Sequence, residues 1–235
     1  MPLYSYSKTK PKLSQKLGKI FSLCLISGGL LLLFTVIYPI VTFELYYARK
    51  FEDLTSPIAD SDSDLPDKLT RVLGVSLNDF TRASLWFPQA TPVYRNQQAS
   101  NNYTLSIPQL KIENARVIIG SEDLSRSLIH FAGSMPGTVG NPVIFGHSTL
   151  LLFYNPSDYK AIFSKLPDLS LGDEISVDYD NVRYNYKVYK MYITSPKDLK
   201  VLDQNVNEEI LTLVTCVPPG TYFKRFIVKA RLEKI

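Results

Sequence analysis

The fold is indicated most directly by residues 210–232, ILTLVTCVPPGTYFKRFIVKARL. From Ile210 to Cys216 it is apolar along both faces, which predicts a central strand buried on both sides. The prolines and the glycine of residues 217–220 stop regular pairing and favour a turn. From Arg225 onward, apolar and polar side chains alternate, so a second strand is predicted, antiparallel to the first. We therefore expect Cys216 and Arg225 to lie side by side at the mouth of a hairpin.

The pairing of a thiol with a guanidinium indicates a reactive cysteine. Because a neighbouring cation stabilises the thiolate, we expect a lowered pKa for Cys216. The other cysteine, Cys24, lies in an apolar run near the N-terminus, so the domain that follows this run has a single thiol and no internal disulfide. A small core cysteine beside a surface arginine explains the same pattern, and the hairpin alone does not separate the two interpretations.

The chain from Tyr103 onward consists mainly of short apolar or alternating segments, separated by Gly, Pro, Asn and Asp. This pattern is typical of a β-sandwich or a β-barrel, so the predicted fold class is mainly β with few helical residues. In VRYNYKVYKMYI, residues 182–193, strict alternation places every second residue from Val182 to Tyr192 on one face.

Two histidines are available for chemistry. His147 lies in NPVIFGHST, residues 141–149, on the loop that follows a short buried strand, and catalytic groups are often presented from such positions. His130 follows an apolar segment, which favours a hydrogen-bonded structural histidine, and a role beside the site is the alternative. The two histidines have no paired cysteines nearby, and the acids form no calcium-binding series, so we predict neither a metal nor a cofactor.

Charge is distributed unevenly along the chain. Residues 1–19 contain five lysines and no acid, whereas acidic and basic residues nearly balance from Glu44 onward. A nucleic-acid-binding domain would carry a basic patch, and the folded part has no basic excess, so nucleic acid is excluded as a partner.

A charge-free run of 24 residues, from Ile20 to Phe43, follows the basic tail. A helix of that length spans about 36 Å, more than the hydrocarbon core of a bilayer, which is about 30 Å thick. We predict a retained single-pass anchor with the N-terminus in the cytoplasm and the C-terminal domain outside. A removed export signal is the alternative. The predicted organisation is a basic tail (1–19), a transmembrane anchor (20–43), a linker or N-terminal extension (44–102) and a catalytic barrel (103–235).

Three motifs together resemble the sortase family. They are TLVTC at 212–216, an arginine nine residues after Cys216, and FGHS at 145–148. The resemblance extends over residues 103–235 and implies an eight-stranded β-barrel and a membrane-anchored bacterial cysteine transpeptidase. Its site residues would be Cys216 as the nucleophile, His147 as the general acid and base, and Arg225 as the group that steadies the substrate carbonyl and the oxyanion.

The resemblance also implies secondary roles, substrates and partners. Thr215 would shape the pocket, although it is equally well explained as a buried strand residue, and His130 would act behind the site. Family members cleave a Leu-Pro-x-Thr-Gly-like sorting signal of surface proteins between Thr and Gly. They transfer the acyl fragment to an amine of a cell-wall peptidoglycan precursor or to a pilin lysine.

Within the family, the sequence favours the protein-anchoring classes A, D or E. The pilin-polymerising class C is the alternative, but it usually has an Asp-Pro-aromatic segment before the barrel and a second, C-terminal membrane span. Trp86-Phe87-Pro88 lacks the Asp-Pro order, and the chain stops at Ile235 just after a strand. The stretch around Trp86, residues 83–92, is expected to pack on the domain or to cover a groove. An inactive sortase-like scaffold domain is a further alternative, which the complete Cys, His and Arg set disfavours.

Overall fold

The structure, a computed structural model, describes four segments of the chain: residues 13–48, 81–87, 102–204 and 207–233. The chain divides into two compact units, Met1–Val41 and Thr42–Ile235. Most of the predicted basic tail and most of the predicted extension 44–102 lie outside the described residues.

The described residues of the first unit are helical throughout. Helix α1 runs from Leu13 to Phe43 and leads into a π-helical turn, Glu44–Ala48. Its part from Leu17 to Thr35 is long and apolar enough to cross a membrane. A helix suits such a sequence because it satisfies every backbone hydrogen bond internally, as a bilayer requires.

The second unit contains a closed barrel of eight strands, which confirms the predicted fold class. The strands are β1 (Asn102–Ile107), β2 (Ile112–Ile119), β3 (Leu128–Ala132), β4 (Val143–Phe145), β5 (Glu174–Tyr179), β6 (Val182–Thr194), β7 (Ile210–Val217) and β8 (Lys224–Leu232). Their order around the barrel is β1-β2-β3-β4-β7-β8-β6-β5. Strand β7 therefore lies between β4, which is parallel to it, and β8, which is antiparallel.

Apolar side chains form two separate layers, one inside the barrel and one on its outer surface. Leu213 on β7 and Phe226 on β8 belong to the interior cluster. Their neighbours along the same strands, Val214 and Ile227, belong to the outer cluster, together with Phe145 of β4. Both faces of β7 are buried because successive side chains point to opposite faces, each of which is covered.

Strand β6 departs from the strict alternation that the sequence predicts. The pairing with β8 shifts between Val188 and Lys190, where the strand carries an irregularity of the β-bulge type. Tyr186 and Val188 belong to the interior cluster, but Tyr192 belongs to the outer one and Ile193 to the interior. The prediction of a single face for these side chains was wrong because one unpaired residue moves all later side chains to the other face.

Candidate active site

Cys216 lies near the end of β7, directly opposite Arg225 on β8. Both side chains are almost completely covered, with exposed fractions of 6% for Cys216 and 3% for Arg225. They lie on the outer surface of the barrel, since Val214 and Ile227, two residues away along each strand, belong to the outer cluster. The short hairpin thus holds a thiol and a guanidinium on the same face.

The register of β4 against β7 places His147 on the other side of the thiol. Phe145 of β4 pairs with Val214 of β7, and the two strands run parallel. One residue beyond β4, Gly146 N donates a hydrogen bond of 3.1 Å to the carbonyl oxygen of Val214, so the chain still runs alongside β7 as it reaches His147. Cys216 therefore has Arg225 on one neighbouring chain and His147 on the other.

The turn that carries His147 is fixed from both sides. Thr215 Oγ1 donates a hydrogen bond of 2.9 Å to the carbonyl oxygen of Gly146. A Cβ atom at Gly146 would lie 2.2 Å from Cδ2 of the Phe163 ring, so only glycine allows the chain to pass there. Thr215 is fully buried, and its neighbours in sequence point to the opposite face of β7. Its hydroxyl thus anchors the turn of His147 from behind the Cys216 face.

Ser148 links the histidine to the cysteine strand. Its hydroxyl donates a hydrogen bond of 2.7 Å to the carbonyl oxygen of Cys216. The carbonyl oxygen of Ser148 accepts a hydrogen bond of 2.8 Å from Nδ1 of His147. In the neutral imidazole the proton is therefore on Nδ1, which leaves Nε2 as the basic nitrogen. Sequence reasoning missed Ser148, although it directly follows the histidine of the motif.

Residues Thr81–Phe87, which we call the covering segment, lie over this face. The ring of Trp86 stacks on that of Phe145, with ring centroids 5.2 Å apart and planes inclined by 14°. Its edge meets the ring of His147, at a centroid distance of 6.5 Å. Trp86 is only 1% exposed, and Phe87 is completely buried. The expectation that this stretch packs on the domain is met for these residues, whereas residues 88–92 lie outside the described part.

The covering segment also occupies the guanidinium of Arg225. The main-chain carbonyl oxygen of Trp86 accepts hydrogen bonds from Nε (3.3 Å) and Nη2 (2.9 Å) of Arg225. On the other edge, Nη1 donates to the carbonyl oxygen of Tyr222 at 3.0 Å. The loop before β8 therefore holds one edge of the planar guanidinium through Tyr222. The two donors on the other edge converge on one peptide carbonyl, that of Trp86.

Main-chain hydrogen bonds hold the covering segment to the loop before β3. Ala83 N donates to the carbonyl oxygen of Glu122 at 3.0 Å, and Leu124 N donates to that of Thr81 at 2.9 Å. Ser84 N adds a bond of 2.9 Å to Oε2 of Glu122. The position of Trp86 therefore rests on paired backbone as well as on ring stacking.

Burial is the largest influence on the pKa values of Cys216 and His147. It raises the pKa of the Cys216 thiol, while the Arg225 guanidinium acts in the opposite direction. It lowers the pKa of His147, against the effect of the Ser148 carbonyl. The expected lowering of the thiol pKa is therefore wrong for this arrangement, because loss of solvent outweighs the adjacent cation. The neutral thiol and the neutral imidazole are favoured beneath Trp86.

His130 is not brought to this face. It lies on β3, where Ile129 and Phe131 belong to the outer cluster, so its own side chain is directed into the barrel. Its Nδ1 lies 3.0 Å from Oη of Tyr103, in a hydrogen bond. Burial lowers the pKa of His130 to about 4, so the ring is neutral at physiological pH.

A metal site is not found in the part of the chain that the structure describes. No group of three or more His, Cys, Asp or Glu side chains is arranged there to hold an ion. The chemistry available on the outer face is that of a thiol, an imidazole and a guanidinium.

Comparisons with known proteins identify the family to which the barrel is similar. Residues 105–233 match the family model of the Sortase domain. Sortase A from Corynebacterium diphtheriae is 25% identical, with a TM-score of 0.51, and the match covers 72% of this chain and 81% of that one. A lid mutant of that sortase is 23% identical, with a TM-score of 0.50 and coverage of 81% and 92%. The sortase D5 transpeptidase of Clostridium perfringens is 27% identical, with a TM-score of 0.49 and coverage of 67% and 92%. No curated protein matches.

Proposed function

The chain belongs to the sortase family of cysteine transpeptidases, and we propose that it cleaves a Leu-Pro-x-Thr-Gly-like sorting signal and transfers the acyl fragment to an amine. The observation that carries the proposal is the arrangement around Arg225. Its guanidinium lies opposite Cys216 in the strand register and already holds a peptide carbonyl, that of Trp86, with two N–H groups. A substrate carbonyl in the same place would be next to the nucleophile.

The first half-reaction forms a thioester. The Cys216 thiolate attacks the carbonyl carbon of the Thr–Gly bond, and the oxygen of that carbonyl becomes an oxyanion. Arg225 stabilises this oxyanion through the donors that now bind Trp86, since a guanidinium remains charged and donates from a rigid plane. Collapse of the tetrahedral intermediate breaks the C–N bond and releases the glycine amine.

His147 carries the proton in both halves of the reaction. Its Nε2 accepts the proton of the Cys216 thiol, and the imidazolium then protonates the leaving glycine amine. In the second half, the neutral ring takes a proton from the incoming amine, which attacks the thioester carbonyl. The new amide forms as the C–S bond breaks, and the thiolate of Cys216 is regenerated.

The partners follow from this chemistry. The acyl donors are surface proteins that carry a sorting signal, and the acceptor is the amine of a peptidoglycan precursor or a pilin lysine. The apolar part of α1, Leu17–Thr35, supports anchoring in the bacterial cell membrane. The basic residues before it support a cytoplasmic N-terminus and an extracellular barrel.

Mass spectrometry of the intact protein tests the proposal. The full chain, kept in detergent and mixed with a Leu-Pro-x-Thr-Gly peptide, should gain the mass of the acyl fragment as a thioester. Cys216→Ala should abolish this adduct, whereas Cys24→Ala, the matched control, should retain it. Because Trp86 covers the site, the Trp86→Ala variant is measured in parallel. An adduct on Cys216→Ala, or none on either the natural chain or Trp86→Ala, would contradict the proposal.

A further inference from the structure

Asn141 is a buried polar residue that the proposed chemistry does not use. It stands two residues before β4 and is only 2% exposed. Its side-chain Nδ2 donates to the carbonyl oxygens of Val201 (3.3 Å) and Asp203 (3.1 Å). Its Oδ1 accepts a hydrogen bond of 2.6 Å from Thr212 Oγ1 on β7. One amide thus joins three separate parts of the chain.

Gln204 completes the connection from the other side. Its Oε1 accepts a hydrogen bond of 3.0 Å from the main-chain N of Asn141. Its Nε2 donates to the carbonyl oxygen of Asn141, also at 3.0 Å. The side-chain amide of Gln204 therefore pairs with the backbone of Asn141 as a neighbouring strand would. We call the two residues together the amide clamp.

The amide clamp holds a short turn, Leu199–Leu202, in the connection between β6 and β7. Val201 at its centre is fully buried in the outer apolar cluster that contains Trp86 and Cys216. Leu199 and Leu202 pack against the same cluster. The turn is thus one wall of the surface on which the covering segment lies, and on which a peptide substrate must lie.

The amide clamp and the reacting groups are held by different bonds. Backbone pairing of β4, β7 and β8 sets the positions of His147, Cys216 and Arg225. The turn Leu199–Leu202 has no place in that pairing and meets the clamp through its carbonyl groups. A change at the clamp should therefore move the wall of the groove while the reacting atoms keep their register.

We propose that Asn141 is a positioning residue that sets the shape of the peptide groove through the turn Leu199–Leu202. It governs how well a peptide binds and leaves the chemical step unchanged. The inference rests on the proposed transpeptidase function for its substrate, but the placement of the turn is a property of the protein alone. Both can therefore be measured separately.

Kinetics with a fluorogenic Leu-Pro-x-Thr-Gly peptide test the first part. Asn141→Ala, in the full chain in detergent, should raise KM about tenfold, because the hydrogen bonds to Val201 in the turn and to Asp203 directly after it are lost, and kcat should stay within about twofold. Asn155→Ala is the matched control, since the side chain of this exposed asparagine accepts a local hydrogen bond, from Ser157 N. A lower melting temperature with unchanged KM would show a purely structural role and would overturn the proposal.

A double-mutant cycle asks whether Asn141 acts through the turn. Val201→Ala loosens the same turn from its other side, so the KM of the double variant should not exceed that of the weaker-binding single variant. Independent action would instead multiply the two factors, and that result would contradict the proposal. If Asn141→Ala does not fold, the exposed Gln204 gives the second variant, Gln204→Ala, with an expected KM increase of about threefold.

The fluorescence of Trp86, the only tryptophan of the chain, needs no substrate. Asn141→Ala should shift its emission to longer wavelength, because the wall beside the outer cluster loosens and admits water. Asn155→Ala should leave the emission unchanged. An unshifted spectrum in Asn141→Ala would overturn the placement of the turn even if peptide turnover were observed. A shift without turnover of any peptide would support the clamp and count against the proposed function alone.

Discussion

At the scale of single residues, Arg225 combines a positive charge with a planar fork of hydrogen-bond donors. The sequence was sufficient to predict its place beside Cys216, because a hairpin of strongly patterned strands leaves little freedom of register. It was not sufficient to predict the pKa of Cys216. That value depends on desolvation by Trp86 and Phe87, which lie more than 100 residues away in the chain. Spacing predicts neighbours, but only the packed structure determines how much water they lose.

Replacing Arg225 with lysine separates the two properties. Arg225→Lys keeps a positive charge but loses the planar fork, so turnover should fall by about 10²–10³, the usual effect of removing one oxyanion donor. Peptide turnover measures the loss, and the pH profile of thiol alkylation serves as the control, since it reports charge next to Cys216. Near-normal turnover in the lysine variant would show that charge alone suffices and would remove the oxyanion role.

The two histidines should differ in their effect on rate. His147→Ala should reduce turnover by about 10²–10⁴, because both half-reactions need a proton carrier. His130→Ala should cost much less, since its ring faces the barrel interior and bonds to Tyr103. Both variants are measured on one peptide, with folding checked by circular dichroism. A larger loss for His130 would exchange the two assignments.

At the scale of elements, the covering segment and strand β6 have features that sequence patterns do not predict. The apolar character of Trp86 and Phe87 indicated that this stretch packs on something, but no pattern identifies a main-chain carbonyl as the partner of Arg225. No sequence pattern predicts the irregularity of β6 between Val188 and Lys190 either. Both features depend on backbone atoms, which every residue has, and on contacts between distant segments.

Removing the Trp86 ring should expose the thiol. Trp86→Ala removes the ring that stacks on Phe145. Truncation of a buried tryptophan to alanine costs about 3–5 kcal/mol of stability, which is enough to release the covering segment. Burial raises the pKa of Cys216, so exposure should move the midpoint of its alkylation profile to lower pH and speed alkylation at pH 7. Leu85→Ala, an exposed neighbour in the same segment, is the control and should behave like the natural chain. An unchanged profile for Trp86→Ala would mean that the ring does not shield the thiol.

At the scale of the whole molecule, the barrel separates stability from chemistry. The interior cluster and the outer site share strands but not side chains, because alternation sends them to opposite faces. The mainly β class was predictable from the spacing of short apolar segments. The strand order was not, since β4 pairs with β7 across the whole of β5 and β6, and local pattern carries no information about such distant partners.

The neutral histidine inside the barrel should make folding depend on pH. The pKa of His130 is about 4 in the folded chain and about 6.5 when unfolded, so the unfolded state binds more protons between these values. The contribution of the neutral His130 to the free energy of unfolding is therefore fully present above pH 6.5. It is lost as the pH falls towards 4, by about 3 kcal/mol. Urea unfolding at pH 7 and at pH 4 measures this loss.

The variant His130→Gln isolates the contribution of the imidazole. It stays uncharged at both pH values, so its free energy of unfolding should fall by about 3 kcal/mol less than that of the natural chain. His147→Gln controls for the half-exposed histidine of the site. Equal losses in His130→Gln and the natural chain would show that protons at this position do not destabilise the barrel.

If a substrate carbonyl takes the place of the Trp86 carbonyl on Arg225, as the proposed function requires, the protein competes with its own substrate. A tethered segment is present at a constant local concentration, so a peptide can bind only to the fraction of molecules in which the segment has left. If 99 of 100 molecules are closed, the apparent affinity for any peptide is about 100-fold weaker than that of the open groove. Variants that bind the segment less firmly then resemble improved substrate binders, although no contact to the peptide has changed. Substrate preferences measured on the closed and open forms should keep the same rank order while their absolute affinities shift together.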